Sequence, residues 1–200
     1  ALSEVANIGS QLAAGTVFRG FGPVIFAVSG ILALTAGGVQ VIWPAVANAN
    51  PTNFVLCWIT VAVLVAGLIG FGMITRSKRL HGSMAEAMIM TTIEQFLPVG
   101  AGGAAISAVL LKYAPNSLWI LPGLWQGLVA IGIFASLRTL PKAMSLAGAW
   151  YFVSGITVLV IASLSLELTP WMMAIPFSIG QFLIASILWF ASGRDHVREN

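Results

Sequence analysis

The segment MTTIEQFLPVGAGG, residues 90–103, places Glu94 and Gln95 inside an apolar run and follows them with Pro98, Gly100, Gly102 and Gly103. If the run enters a bilayer near Met84, Glu94 lies roughly 15 Å deep at helical rise, close to the midplane. A carboxylate there costs about 2.5–3.5 kcal/mol on insertion scales. The cost is tolerated when the group faces protein or water, or takes up a proton. The chemistry this allows is carrying a proton or binding a cationic group. Pro98 has no amide hydrogen, so the Glu94 carbonyl loses its helical partner and a kink is expected. The glycines that follow would let a second backbone approach closely.

Two more polar side chains fall at similar depth. Gln126 lies about 12 Å below an entry at Leu118, and Gln181 about 15 Å below Trp171. Each follows a proline, Pro122 and Pro176 respectively. Helices disturbed near a common depth point to a midplane site. Trp125 sits beside Gln126, deeper than an interfacial tryptophan, and joins this set. Gln95 projects about 100° around the helix from Glu94, so the two do not face one cavity. Glu86, two turns below Glu94, would mark the inner mouth of a polar path. The simpler alternative is structural: glutamines hold membrane helices together at about 0.6–2 kcal/mol per hydrogen bond.

Absences narrow the chemistry. The sequence has no P-loop, HExxH, GxSxG or paired-carboxylate metal signature. Its two histidines, His81 and His196, stand in charged segments, and Cys57 is its one cysteine. Neither a haem held by two histidines nor a Ser–His hydrolase fits. No cofactor and no metal are expected, and enzymatic activity is left only carboxylate or lipid-interface chemistry.

The elements that must position these residues are set by composition. Hydrophobic residues make up 58% and charged residues 8% of the chain; soluble domains carry about 25% charged residues. Lipid must be the solvent for most of the sequence. The fold class expected is an all-α integral membrane protein of six transmembrane helices. The apolar runs cover about 21–43, 54–75, 84–111, 118–137, 143–166 and 171–192. Turn-rich VANANPT, KYAPNS and ELTP join them into three helical hairpins. Residues 1–20 form an N-terminal surface segment without the basic start of a secretory signal, and 193–200 a short tail. IFASLR (133–138) and WFASGR (189–194) suggest a faint hairpin repeat.

Orientation follows from the cations. With both termini cytoplasmic, Arg19, Arg76, Lys78, Arg79, Arg138, Lys142, Arg194 and Arg198 all lie inside and only Lys112 outside. That bias needs all six spans. Arg19, Arg76, Lys78 and Arg79 are placed to meet lipid headgroups, although setting topology is reason enough for them. Trp43, Trp58, Trp119 and Trp171 at outer ends, and Trp150 and Trp189 at inner ends, read as interfacial anchors.

These observations lead to a small multi-pass transporter or channel-like protein in a plasma or inner membrane. It would move a small polar solute or a proton through a midplane site around Glu94. The competing expectation is an accessory or structural subunit of a membrane complex. The partners expected are the lipid bilayer and either a second copy or another membrane subunit; the net charge of +3 is spread between spans and does not argue for nucleic acid.

Overall fold

A computed structural model describes residues 22–44, 50–81 and 85–196. The described chain is all-helical. The helices are α1 (Pro23–Ile42), α2 (Pro51–His81), α3 (Ala85–Tyr113), α4 (Leu121–Ala135, entered through a 3-10 turn at Pro115–Ile120), α5 (Met144–Ser165) and α6 (Trp171–His196). Six stretches of them are long and apolar enough to cross a membrane: Pro23–Ile42, Pro51–Thr75, Ile93–Tyr113, Pro115–Ala135, Met144–Ser165 and Trp171–Ala191. Helix is the form that satisfies a backbone within itself where no water is at hand.

Local signals set the boundaries. Pro23, Pro51 and Pro115 open their elements, where a missing amide hydrogen costs nothing. The Asn50 side chain accepts from the Asn53 amide at 2.8 Å and caps α2. Helix α5 closes on Leu166 in the left-handed region (φ 55°), whose amide donates back to the Ala162 carbonyl. Residues 133–138 unwind at Ser136, whereas 189–194 stay helical, so the two similar hexapeptides do not share a structure.

The most extensive contacts are α1 with α6 and α4 with α5; the sequence-adjacent pairs α1–α2, α3–α4 and α5–α6 meet over shorter stretches. Small residues explain the tight pairs. A Cβ on Gly37 of α1 would overlap that of Ala174 on α6, and one on Gly148 of α5 would lie 3.0 Å from the Phe134 ring of α4. Helices α2 and α3 lie at the periphery. On α3 only Ser107 is buried among the residues from Ile93 to Tyr113.

Two tryptophans depart from the interfacial role. Trp58 is buried and donates its indole N–H to Gln40 Oε1 at 2.9 Å, joining α2 to α1. Trp150 donates to the Pro176 carbonyl at 2.9 Å. A donor inside lipid finds its best acceptor in protein, and that outweighs the indole's preference for the headgroup layer. Trp43, Trp171 and Trp189 stay exposed on the outside of the bundle.

Several expectations fall beyond what the structure describes. Arg19 and the surface segment 1–20 lie outside the described residues, as do residues 197–200. The side chains of Arg76, Lys78, Arg79 and Glu86 also lie outside them, although their helices are described.

Candidate functional site

Pro176 sits inside α6. Because it has no N–H, the Met172 carbonyl one turn earlier is left without its helical donor. Gln126 of α4 supplies one: its Nε2 donates to the Met172 carbonyl oxygen at 2.9 Å, fully buried. The following carbonyls also meet side chains. The Trp150 indole donates to Pro176 O, and the Tyr151 hydroxyl lies 3.4 Å from Phe177 O as donor. From the other side, Ser178 Oγ is 3.0 Å from the Gly30 carbonyl of α1 and 2.6 Å from the Ala174 carbonyl. The disturbed stretch of α6 is thus stitched to α1, α4 and α5 together.

Missing side chains make this possible. A Cβ on Gly180 would overlap the Tyr151 ring, so that glycine seats the phenol against α6. A Cβ on Gly155 would lie 3.0 Å from the Gly123 carbonyl and 3.2 Å from Gln126 Cβ. Tyr151 and Gly155 share one face of α5, one turn apart. The Gln181 Nε2 donates to the Tyr151 hydroxyl at 3.3 Å. Gln126 and Gln181, on different helices, therefore pack against neighbouring turns of the same face of α5.

The electrostatics of this core are one-sided. Gln126 Oε1 and Gln181 Oε1 are buried and have no hydrogen-bond partner. The orientation of Gln126 is fixed, because the Met172 carbonyl can only accept. An unmatched buried acceptor costs about 1–3 kcal/mol, so two in one core call for donors. Every polar side chain buried among the described residues is uncharged: Ser29, Gln40, Ser107, Gln126, Ser136, Thr139, Ser178 and Gln181.

Glu94 does not join the two glutamines. Its side chain is exposed, and it is Gln95 that turns inward, accepting from Thr139 Oγ1 at 3.0 Å. Thr139 belongs to the turn after α4, so Glu94 stands level with the α4–α5 connection. The residues of α3 before Gln95 run on past the end of α4, so the structure sets Glu94 apart from Gln126 and Gln181. The carboxyl lies at the end of the bundle that also carries Arg138 and Lys142.

Trp125 is likewise turned elsewhere. Its indole donates to Ser107 Oγ at 3.0 Å, and Ser107 donates to the Gly103 carbonyl at 2.6 Å, tying α4 to α3. A Cβ on Gly100 or Gly102 would meet nothing within 4 Å, and one on Gly103 would touch only Leu128 and Trp125 side chains. Within the chain, the close backbone approach expected after Pro98 falls instead between Gly123 and Gly155. Sequence reasoning reads Trp150 only as an interfacial anchor and passes over Tyr151 and Ser178. The signal that finds them is Pro176, because a buried proline leaves a carbonyl that neighbouring helices must answer.

At the opposite end, Pro51, Asn116, Trp119, Leu166 and Glu167 line a cavity of about 420 Å³. Trp119 packs against the cluster of Val158, Ala162 and Met172, the last being the residue whose carbonyl accepts from Gln126. No known protein family, curated protein or solved structure matches the chain.

Proposed function

We propose that this multi-pass membrane protein is a small transporter or channel-like protein that moves a polar solute past Gln126 and Gln181 in the α4–α5–α6 core. The observation that carries the reading is the pair of buried glutamine carbonyl oxygens without donors, set beside a proline inside α6. Unmatched polar groups among membrane-spanning helices are tolerated where they serve a site. The reading includes three outer hairpins, with both termini on the cytoplasmic side of a plasma or inner membrane, supported by the eight-to-one bias of cations. Glu94, exposed at the cation-rich end, would face the inner water rather than the solute. Purified protein in liposomes tests the proposal: a panel of small polar solutes should include at least one that crosses faster than in protein-free vesicles. Gln126→Met and Gln181→Met should each slow that solute. Equal flux in both variants would refute the assignment of the site.

One observation favours a second reading, that of an accessory subunit or self-assembling protein. On α3, Glu94, Ala101, Ala104, Ala105 and Ala108 are all exposed, leaving an uncovered side of small residues. Mild-detergent purification from native membranes separates the two: a stoichiometric companion on α3, lost on Ala104→Leu, supports it, and a lone monomer removes it.

A further inference from the structure

We infer that the solute is a small uncharged molecule with at least two N–H or O–H donors, of the urea or primary-amide class; this rests on the transport reading above. The two unmatched atoms, Gln126 Oε1 and Gln181 Oε1, are both acceptors. The neighbouring donors are already used: Gln126 Nε2 on the Met172 carbonyl, Gln181 Nε2 on Tyr151, the Tyr151 hydroxyl on Phe177 O, and the Trp150 indole on Pro176 O. A solute arriving in this core therefore finds lone pairs and no free hydrogens from these groups. Anions have nothing to bind.

Charge decides between the remaining donors. Ammonium-type cations also carry hydrogens, but the buried polar side chains among the described residues are all neutral. A desolvated cation without a countercharge is strongly disfavoured. A neutral amide or urea has no such penalty, and its divergent N–H groups suit two acceptors carried by α4 and α6 against neighbouring turns of α5. The cavity at Asn116, Trp119 and Glu167 is the proposed way in, because Trp119 packs against the cluster that contains Met172, to whose carbonyl Gln126 is bonded.

Stopped-flow light scattering on proteoliposomes provides the test, with urea, acetamide, methylammonium chloride and sodium acetate as separate osmolytes. Urea and acetamide should equilibrate faster than in protein-free vesicles, with both salts at background. Gln181→Glu keeps the side-chain length and introduces a carboxyl group, assayed up to about pH 9 so that it ionises despite burial. It should cut urea flux about tenfold, the equivalent of losing one well-matched buried hydrogen bond, and bring methylammonium above background. Gln126→Met should cut urea flux without admitting either ion. Size-exclusion profiles and tryptophan emission confirm folding; if Gln126→Met does not fold, the change of selectivity in Gln181→Glu carries the test. Passage of a salt in place of urea and acetamide would overturn the solute class and leave the transport reading standing. Flux of nothing above protein-free vesicles would overturn both. Unchanged selectivity in Gln181→Glu would remove Gln181 from the path.

Discussion

The bond from Gln126 to the Met172 carbonyl exists because Pro176 cannot make it, and this can be tested by a double-mutant cycle. Replacing Gln126 by methionine keeps the volume and linear shape of the side chain. It removes the Nε2 donor, 2.9 Å from Met172 O, and leaves a buried carbonyl unmatched. That loss costs about 1 kcal/mol, between the general range for unmatched buried groups and the smaller values measured between membrane helices. The same substitution deletes Gln126 Oε1, itself without a partner, which returns a similar amount. The single-variant change alone is therefore a poor reporter. Pro176→Ala restores a backbone N–H four residues after Met172 and lets α6 satisfy its own carbonyl. In that background Gln126→Met should lose the penalty and keep the gain. The coupling should be about 1 kcal/mol, with the glutamine worth more when proline is present. Equilibrium unfolding in mixed detergent micelles, followed by tryptophan emission, measures all four proteins. A coupling within error of zero would mean that the glutamine does not stand in for the missing amide.

Other substitutions probe separate parts of the structure. Gly180→Ala drives a methyl group into the Tyr151 ring and should destabilise by about 1–3 kcal/mol; Gly100→Ala, with open space at its Cβ, should be neutral or stabilise by about 0.5–1 kcal/mol, both read by thermal unfolding in detergent. Trp58→Phe removes the donor to Gln40 Oε1 and should cost about 1 kcal/mol, whereas an interfacial anchor would show little change in the same assay. Glu94→Gln alters an exposed side chain and should shift stability by less than about 0.5 kcal/mol; solute flux should keep its rate and pH profile in vesicles. A large change in either would return that carboxyl to the transport path.

The spans were legible in the sequence because lipid imposes one requirement along their whole length. Six helices long and apolar enough to cross a membrane are present among the described residues, as six apolar runs predict. What faces what was not legible, since lipid-facing and protein-facing residues are equally apolar. Hydropathy cannot tell buried Val158 from exposed Val160. Which polar groups meet was not legible from depth counted along each helix: Gln95 bonds to Thr139 beyond the end of α4, and Glu94 stands apart from the two glutamines. The glutamines were found by their polarity, but their role depended on Pro176, Trp150 and Tyr151, and position along a helix does not reveal a bond to the next.

The pairing of α1 with α6 has a consequence for synthesis at the ribosome. Roughly 130 residues separate the two helices, so at about 5–20 residues per second α1 waits roughly 6–26 s for its main neighbour to emerge. During that interval its polar side chains need not stand bare in lipid. Ser29 folds back on the Ile25 carbonyl at 2.9 Å, and Gln40 is met by Trp58 of α2, the next helix to leave the translocon. The first two spans can therefore shelter as a provisional couple until the last one arrives and closes the chain upon itself.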